Sequence, residues 1–369
     1  MPSSNGLYDK ELLTVTDYEC AAICVLSDPD YGHYSGGADD EVTLNENTRA
    51  FNDYIIRPHC LRDVSSLSTA TTFLSHSLPH PIGVAPTAFH GLAHEEGERA
   101  TVRGAKSASS LMISSSWATT SLEDMRKEAG ENPMWMQLFY YTDRELTQSI
   151  VRRAEAAGYS ALVLTVDYPV RGNRLADKRN HFELPAHLKN ANFVAPGSES
   201  TVNPVITPIT WKDVKELVES TPLPVIVKGI LRGDDALEAI RCGVKGIIVS
   251  NHGGRQLDSA PATIHALREV VEAVEEGKHR LFRVPVWMDG GIRNGRDVFK
   301  ALAMGAAGVF VGRPVIWGLA AHGEYGVAHV LNILKEELEQ TMKLAGCPTI
   351  QSIRDAKDIV VHKSFYERR

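Results

Sequence analysis

The sequence lacks the features that mark membrane-spanning, secreted and nucleic-acid-binding proteins. No stretch reaches the roughly 18 apolar residues that a membrane-spanning helix needs. The N-terminal stretch MPSSNGLYDKELLTV has no basic segment followed by an apolar one, so we expect no secretory signal. There is no long basic run, and the formal net charge is −7. A nucleic acid or an anionic membrane is therefore not an expected partner, and small-molecule chemistry is the default prediction.

Cysteines are few and form no recognisable pattern. The chain has five of them, with no CxxC motif and no adjoining histidine cluster: Cys20, Cys24, Cys60, Cys242 and Cys347. This indicates neither a disulfide framework nor a metal site, and we interpret them as reduced thiols of an intracellular protein. The C-terminal FYERR differs from the Ser-Lys-Leu peroxisomal address, and both a cytoplasmic and a peroxisomal location stay open.

From about residue 80, short apolar runs alternate with segments whose apolar positions have helical spacing, the last of which predicts a long helix from about residue 323 to 345. The eight runs are PIGVAPTA, LMISSSW, MWMQLFY, ALVLTVD, PVIVKG, GIIVSNHG, PVWMDGG and GVFVGR. Eight strand–helix units predict an α/β fold of the (β/α)8 type, the TIM barrel. A doubly wound sheet is less favoured, because it usually has about five to seven strands and a reversal of strand order.

The rest of the chain is expected to surround this barrel within a single domain spanning residues 1–369. Residues 1–79 are predicted to form an N-terminal cover of helices and loops. Residues 183–210 are rich in Pro, Ser, Asn and Thr and show little periodicity, which predicts a long, mobile loop inserted after strand four. Such loops often act as lids, so we expect this one to lie over an active site.

Polar side chains gather where the apolar runs end, which is where a (β/α)8 barrel carries its catalytic residues. The residues at these ends are Thr87, Ser115, Trp117, Gln137, Thr165, Asp167, Lys228, His252, Arg255, Asp289 and Arg313. A lysine such as Lys228 rarely ends a buried strand unless an anion or ligand meets it. Asp167 and His252 have the residue types of an acid that orients a base. Ser and Thr at such positions can instead cap the next helix.

The last two strands end in sequences typical of a phosphate pocket. DGG follows the seventh strand and GR follows the eighth. Glycines let backbone N–H groups approach an anion closely, and an arginine can bind it with two parallel hydrogen bonds. Simple turn chemistry is the alternative interpretation.

From about residue 14 to 350 the chain resembles the FMN-dependent L-2-hydroxy acid oxidases and dehydrogenases. The matching stretches are SGGADDEVTL, VAPTAFHGLAHEEGE, SSWATTSLE, LTVDYPVRGNR, VKGILRGDDA, SNHGGRQLD, DGGIRNGRDVFKALAMGA and VGRPV. The combination of SNHGGRQLD with DGGIRNGRD and GRP is highly specific. The resemblance implies a barrel that binds FMN and assembles into homotetramers or octamers.

The resemblance also implies which residues bind the cofactor. Residues expected at the flavin ring are Pro86, Thr87, Ala88, Ser115, Gln137 and Thr165. Lys228 is expected to stabilise negative charge on the reduced flavin. Residues expected at the ribityl chain and phosphate are Asp289, Gly291, Arg293, Gly312 and Arg313.

A second set of residues is implied to act on the substrate. Arg255, helped by Arg174, is expected to bind the substrate carboxylate, and Trp117 belongs to the same substrate-binding set. His252 is expected to take a proton as the alcohol is oxidised, with Asp167 stabilising the imidazolium. The electrons leave the α-carbon as a hydride or by a carbanion route, which the sequence leaves open. The predicted reaction converts an L-2-hydroxy acid into a 2-oxo acid and reduces oxygen to hydrogen peroxide.

Two substrate-facing positions depart from the family pattern. His33 in YGHYSGGADD and Phe139 in QLFYY stand where the family has active-site tyrosines. Losing a hydrogen-bond donor to a developing oxyanion costs roughly 2 to 4 kcal/mol. Phe139 cannot donate, whereas His33 can, and Tyr31, Tyr34 or Tyr140 are neighbours that can supply a donor instead. We predict a changed substrate preference, toward a substrate that is bulkier, more apolar or not rich in carboxylates.

Two alternatives remain at this point. A dehydrogenase would pass the electrons to a quinone or a protein instead of oxygen, although the chain shows no haem domain or membrane segment. A flavin-binding barrel that has lost turnover would act as a sensor or scaffold, and only His33 and Phe139 favour that interpretation.

Overall fold

Eight parallel strands form a closed barrel in the computed structural model, which describes residues 11–193, 204–277 and 284–367. Each strand pairs with the next along the chain, and the last pairs with the first. The strands are β1 (Ile82–Val84), β2 (Met112–Ser114), β3 (Met134–Leu138), β4 (Leu162–Thr165), β5 (Val225–Ile230), β6 (Gly246–Val249), β7 (Val286–Asp289) and β8 (Val309–Val311). The predicted (β/α)8 barrel is confirmed, and each strand lies within its predicted apolar run except β5, which extends one residue beyond PVIVKG to Ile230.

One helix of the outer ring follows each strand. These helices are α1 (Gly97–Ser107), α2 (Leu122–Ala129), α3 (Arg144–Ala157), α4 (Trp211–Ser220), α5 (Gly233–Arg241), α6 (Thr263–Glu276), α7 (Gly295–Ala303) and α8 (Arg313–Ala345). Ser121 and Asp143 cap α2 and α3 through their side chains.

The last helix differs from its prediction, which places its start near residue 323. The helix already begins at Arg313, where Pro314 in the first turn is compatible with helical backbone. A kink at His322 and Gly323 interrupts it, and Gly323 has a φ of 56°. The helical spacing of apolar residues is lost at this kink, so the pattern reveals only the second half of the helix.

Aromatic rings close the end of the barrel where the strands begin. Phe73 lies on a hairpin of two short strands, Thr71–Phe73 and His76–Leu78. Its ring centroid lies 5.5 Å from that of Trp287, 5.6 Å from Phe310 and 6.1 Å from Trp135. All four rings are fully buried. The interior of the barrel is therefore closed at this end, and its cavity lies at the opposite end, where the strands finish.

The N-terminal segment covers that opposite end with helices Val15–Val25, Asp28–Ser35 and Val42–Arg49. The described part, residues 11–79, also contains strands, which the predicted cover of helices and loops omitted. Besides the hairpin, Tyr54–Ile56 pairs antiparallel with Val360–His362. The smaller remaining elements are helices Leu175–Arg179, Ile350–Asp355 and Ser364–Glu367 and 3-10 turns Ala50–Asp53, His90–Leu92 and Ala191–Phe193.

The predicted loop at 183–210 has two described ends. Backbone hydrogen bonds tie residues near Val205 to the barrel, since Thr142 N donates to the Val205 carbonyl at 2.8 Å and Tyr141 forms a bridge with Ile206. Residues 194–203 lie outside the described part of the chain. The mobility of this loop stays a prediction.

Two sequence expectations concern membrane-spanning helices and the pairing of the cysteines. Among the described residues, no helix has the length and apolar character needed to cross a bilayer. The cysteines are unpaired: Cys20, Cys24 and Cys60 are exposed, and Cys347 is buried.

One carboxylate fastens the N-terminal cover to the loop after β6. Glu41, at the start of helix Val42–Arg49, makes no side-chain cap hydrogen bond. The Asp258 carboxylate instead accepts from the backbone N–H groups of Asp40, Val42 and Thr43 at 2.8–3.3 Å. Burial alone would raise the pKa of Asp258, but these donors lower it.

We expect Asp258→Ala to lower the free energy of unfolding by about 1 to 2 kcal/mol, because three backbone donors lose their acceptor. Urea unfolding at neutral pH measures the change, and Asp40→Ala is the control because it keeps its backbone N–H. The lowered pKa means that the stabilisation is present above the ordinary aspartate pKa and is lost as pH falls through the folded value. An equal midpoint for Asp258→Ala and the unmodified protein would contradict this role.

Candidate active site

A cavity of about 810 Å³ lies at the carboxyl ends of the barrel strands. The predicted site residues lie in its wall, except Asp167, which lies behind His252. Because parallel strands finish at the same rim, side chains far apart in sequence meet here. The structure thus brings the predicted set together, while the role of each residue stays a proposal.

His252 follows β6 in a left-handed backbone conformation. Its φ is 58°, which is uncommon for a residue other than glycine. The backbone N–H of His252 donates to the Ser250 hydroxyl at 3.1 Å, which supports this turn. Strained backbone of this kind persists where the surroundings hold it, and it is concentrated at functional sites.

Asp167 fixes the orientation of the His252 ring. The carboxylate accepts from Nδ1 of His252 at 2.8 Å, and Gln256 donates to the Asp167 backbone carbonyl at 3.0 Å. Burial would raise the pKa of Asp167, but the charges of His252 and Lys228 outweigh it and lower that pKa. Burial also lowers the pKa of His252, with Asp167 opposing the shift. A neutral His252 that donates through Nδ1 keeps Nε2 free as a proton acceptor.

Lys228 places a positive charge in the same wall. It lies in β5 and is buried, with Nζ 3.0 Å from the Ser250 hydroxyl and 3.3 Å from Oδ2 of Asp289. Burial would lower the pKa of Lys228, but Asp289 and Asp167 outweigh it and raise that pKa, so the ammonium stays charged. Oδ1 of Asp289 has no hydrogen-bond partner among the described residues, and a ligand hydroxyl could donate to it.

Four arginines add more positive charge than nearby carboxylates neutralise. Burial lowers the pKa of each: Arg174, Arg255, Arg293 and Arg313, the last to about 10. None forms a salt bridge with a carboxylate in the described ranges, and their donors meet backbone carbonyls instead. Buried unpaired charge is costly. These side chains therefore favour an anionic ligand.

A row of neutral polar side chains lies across β2, β3 and β4. The Gln137 amide donates to the Thr165 hydroxyl at 3.0 Å, and its oxygen lies 3.5 Å from the Ser115 hydroxyl. Pro86, Thr87 and Ala88 follow β1 beside this row. Neither Ser115 nor Thr87 caps a helix, because α2 is capped by Ser121 and α1 begins without a side-chain cap. Their hydroxyls are thus in the cavity wall.

His33 is less available as a hydrogen-bond donor to a substrate than the sequence suggests. Its Nδ1 lies 3.1 Å from Oδ1 of Asp177, and its ring stacks on Phe182 at 4.0 Å between centroids. Burial lowers the pKa of His33 to about 4. Burial would raise the pKa of Asp177, but His33 and Arg255 outweigh it and lower that pKa to about 2. The neutral imidazole donates its Nδ1 hydrogen to Asp177. Its remaining nitrogen is an acceptor, not the donor that a tyrosine would supply.

Phe139 lies beside His252 and brings no polar group of its own. Its ring centroid lies 6.5 Å from that of His252 and 5.1 Å from that of Tyr168. The tyrosines expected as replacement donors are engaged elsewhere. Tyr34 donates to the Phe89 carbonyl at 2.6 Å, Tyr140 donates to the Asp213 carbonyl at 3.3 Å, and Tyr31 packs on Trp317.

Sequence reasoning missed several residues of this wall. Tyr168, Arg171 and Phe182 line the cavity, and Asp177 binds His33 from behind. Tyr168 could have been found, because it directly follows Asp167 in the stretch LTVDYPVRGNR. Nothing local marks Asp177 or Phe182, which depend on the packing of helix Leu175–Arg179 against helix Asp28–Ser35.

The fold and this cavity define a (β/α)8-barrel oxidoreductase site that combines a base, an anion-binding arginine set and a neutral polar row. Comparison with known proteins indicates the same class of protein. The FMN-dependent dehydrogenase family matches residues 22–359, and the chain belongs to that family.

Individual relatives are similar along nearly the whole chain. 2-Hydroxyacid oxidase 1 of Homo sapiens is 47% identical over 357 residues, covering 93% of this chain and 95% of the relative. Glycolate oxidase 1 of Zea mays is 47% identical over 355 residues, with 93% and 94% covered. A solved mandelate oxidase with (S)-2-phenylpropionate has a TM-score of 0.86 at 40% identity, with 93% and 97% covered. The predicted family, its FMN cofactor and its enzyme class are confirmed.

The residues present fit FMN. The unpaired arginines suit its phosphate, Oδ1 of Asp289 can accept from a ribityl hydroxyl, and the row from Ser115 to Thr165 suits the polar edge of the flavin ring. Gly291 has a φ of 79°, and a Cβ at this position would clash with the Asn47 carbonyl oxygen. Glycine therefore lets helix Val42–Arg49 pack closely against this part of the cavity wall. Arg293 and Arg313 would hold the phosphate, and Lys228 would lie at the ring.

We expect Arg293→Met to weaken FMN binding about 10- to 100-fold, because one charged hydrogen bond to the phosphate contributes about 1.5 to 3 kcal/mol. Fluorescence titration of the apoprotein with FMN measures the dissociation constant. Arg296→Met, at an exposed neighbouring position, is the control and should bind FMN normally. Normal FMN affinity in Arg293→Met would place the phosphate elsewhere.

Proposed function

We propose that this protein oxidises an L-2-hydroxy acid to the 2-oxo acid and transfers the electrons to oxygen, giving hydrogen peroxide. The observation that carries this proposal is the His252–Asp167 pair, 2.8 Å apart, in a cavity where Arg174 and Arg255 have no carboxylate partner among the described residues. A base next to a binding site for an anion is what the oxidation of a hydroxy acid requires. The relatives named 2-hydroxyacid oxidase and glycolate oxidase support the same reaction.

Each residue has a defined task in this reaction. The guanidinium of Arg255, with that of Arg174 beside it, binds and orients the substrate carboxylate. Nε2 of His252 takes the proton, and the Asp167 carboxylate stabilises the imidazolium that forms. FMN, when bound, accepts the two electrons from the substrate. Lys228 favours negative charge at the cofactor ring because its ammonium is buried and stays charged.

We infer a preference for bulky, apolar 2-hydroxy acids. Phe139 replaces a polar group with a phenyl ring, and the described ends of the 183–210 loop add Leu184, Ile206 and Pro208 to the cavity wall. Phe182 and Trp117 extend the apolar surface. The structural similarity to a mandelate oxidase, crystallised with (S)-mandelic acid in one variant, supports an aromatic substituent on the substrate.

Anaerobic mixing with a panel of acids tests this function. We expect (S)-mandelate and other bulky L-2-hydroxy acids to bleach the visible flavin band at least about tenfold faster than glycolate, since each well-packed apolar group adds roughly 1 kcal/mol or more. His252→Ala should retain its flavin but react at least about 100-fold more slowly. No bleaching by any acid would favour the flavin-binding barrel without turnover.

Reoxidation of the bleached protein identifies the electron acceptor. Rapid reoxidation in air with one hydrogen peroxide per flavin supports the oxidase, whereas slow reoxidation in air with fast turnover on an artificial quinone supports the dehydrogenase. Assembly into tetramers or octamers, and a cytoplasmic or peroxisomal location, stay predictions from the resemblance.

A further inference from the structure

Tyr168 has a phenol next to the reacting centre that no role described above uses. Its ring centroid lies 5.1 Å from that of Phe139 and 5.8 Å from that of His252. Tyr168 is half-buried and lines the cavity. It follows Asp167 directly, so the element that positions the acid also positions this ring.

The surroundings of Tyr168 are those of a donor without a partner. Its hydroxyl makes no hydrogen bond to any of the described residues. Arg174 lines the same cavity as Tyr168, so the phenol and that guanidinium face one space. The phenol therefore lies in the region bounded by the base, Phe139 and an arginine that binds the carboxylate.

Other phenols and the His33 ring cannot serve the same region. The hydroxyls of Tyr34 and Tyr140 are bound to backbone carbonyls, and Nδ1 of His33 is engaged with Asp177. Both tyrosines that the family places at the substrate are thus absent as donors, while Tyr168 faces the cavity from the adjacent strand end.

We propose that Tyr168 supplies the phenolic hydrogen bond to the substrate that Phe139 cannot, binding the hydroxyl or carboxylate oxygen next to His252. This inference rests on the proposed function for the identity of the substrate. The donor has moved from the end of β3 to the end of β4, which leaves the space at Phe139 apolar. The site then combines an intact donor set with room for a larger substituent.

Rapid anaerobic mixing of the FMN-loaded protein with the best acid of the panel tests the proposal. We expect Tyr168→Phe to keep its FMN content. Its second-order rate constant for flavin reduction by the acid should be about 10- to 100-fold lower, because a donor to a charged oxygen is lost. Tyr140→Phe is the matched control, because its hydroxyl binds Asp213 outside the cavity, and it should behave as the unmodified protein.

A rescue variant separates a donor role from a packing role. Phe139→Tyr in the Tyr168→Phe background returns one phenol to the same region, and we expect it to recover most of the lost rate for a small acid. A rate for Tyr168→Phe within twofold of the unmodified protein would overturn the proposal, and so would a lost rate that Phe139→Tyr does not recover.

Titration with the 2-oxo acid, monitored by the flavin spectrum, distinguishes failure of the proposed function from failure of the donor role of Tyr168. If no acid reduces the flavin, the proposed function fails, but a 10-fold weaker binding of the 2-oxo acid by Tyr168→Phe than by Tyr140→Phe still supports the donor. Equal binding by both variants would overturn it.

Discussion

Four half-buried arginine side chains around one cavity set the electrostatic constraint on which this structure depends. Arg174, Arg255, Arg293 and Arg313 lack carboxylate partners among the described residues, and burial lowers the pKa of each. The fold bears this cost because backbone carbonyls accept from the guanidiniums. Bound anions relieve it further. The same set of arginines therefore favours both a phosphate-bearing cofactor and a carboxylate substrate.

The barrel determines where this cavity and its base lie. Rings of Phe73, Trp135, Trp287 and Phe310 fill the end where the strands begin, so ligands have access only where the strands finish. The chain after β6 turns through the left-handed backbone of His252, and the Ser250 hydroxyl holds both the His252 N–H and the Lys228 ammonium. One short loop thus connects His252 to the Lys228 ammonium.

Sequence periodicity predicted the parts of the fold that repeat, because each barrel unit buries its strand and one helix face in the same way. It failed at α8, where the kink at Gly323 breaks the helical spacing. Strand-end residues such as Lys228 and His252 were predictable because parallel strands finish together. The fixing of His33 by Asp177 was not, since it depends on two helices packing across 144 positions of sequence. Tyr168 could have been found from its place next to Asp167, whereas its contact with Phe139 depends on the tertiary fold.

The central claim is that Asp167 maintains His252 as the base, and the pH dependence of anaerobic flavin reduction in Asp167→Asn tests it most directly. In the unmodified protein the second-order rate should fall only as pH drops through a His252 pKa below the ordinary value of about 6.5, because the base works in its neutral form. Removing the carboxylate that raises this pKa should move the acid limb still lower and reduce the plateau about 100-fold or more. An unchanged plateau and an unchanged acid limb would contradict the claim.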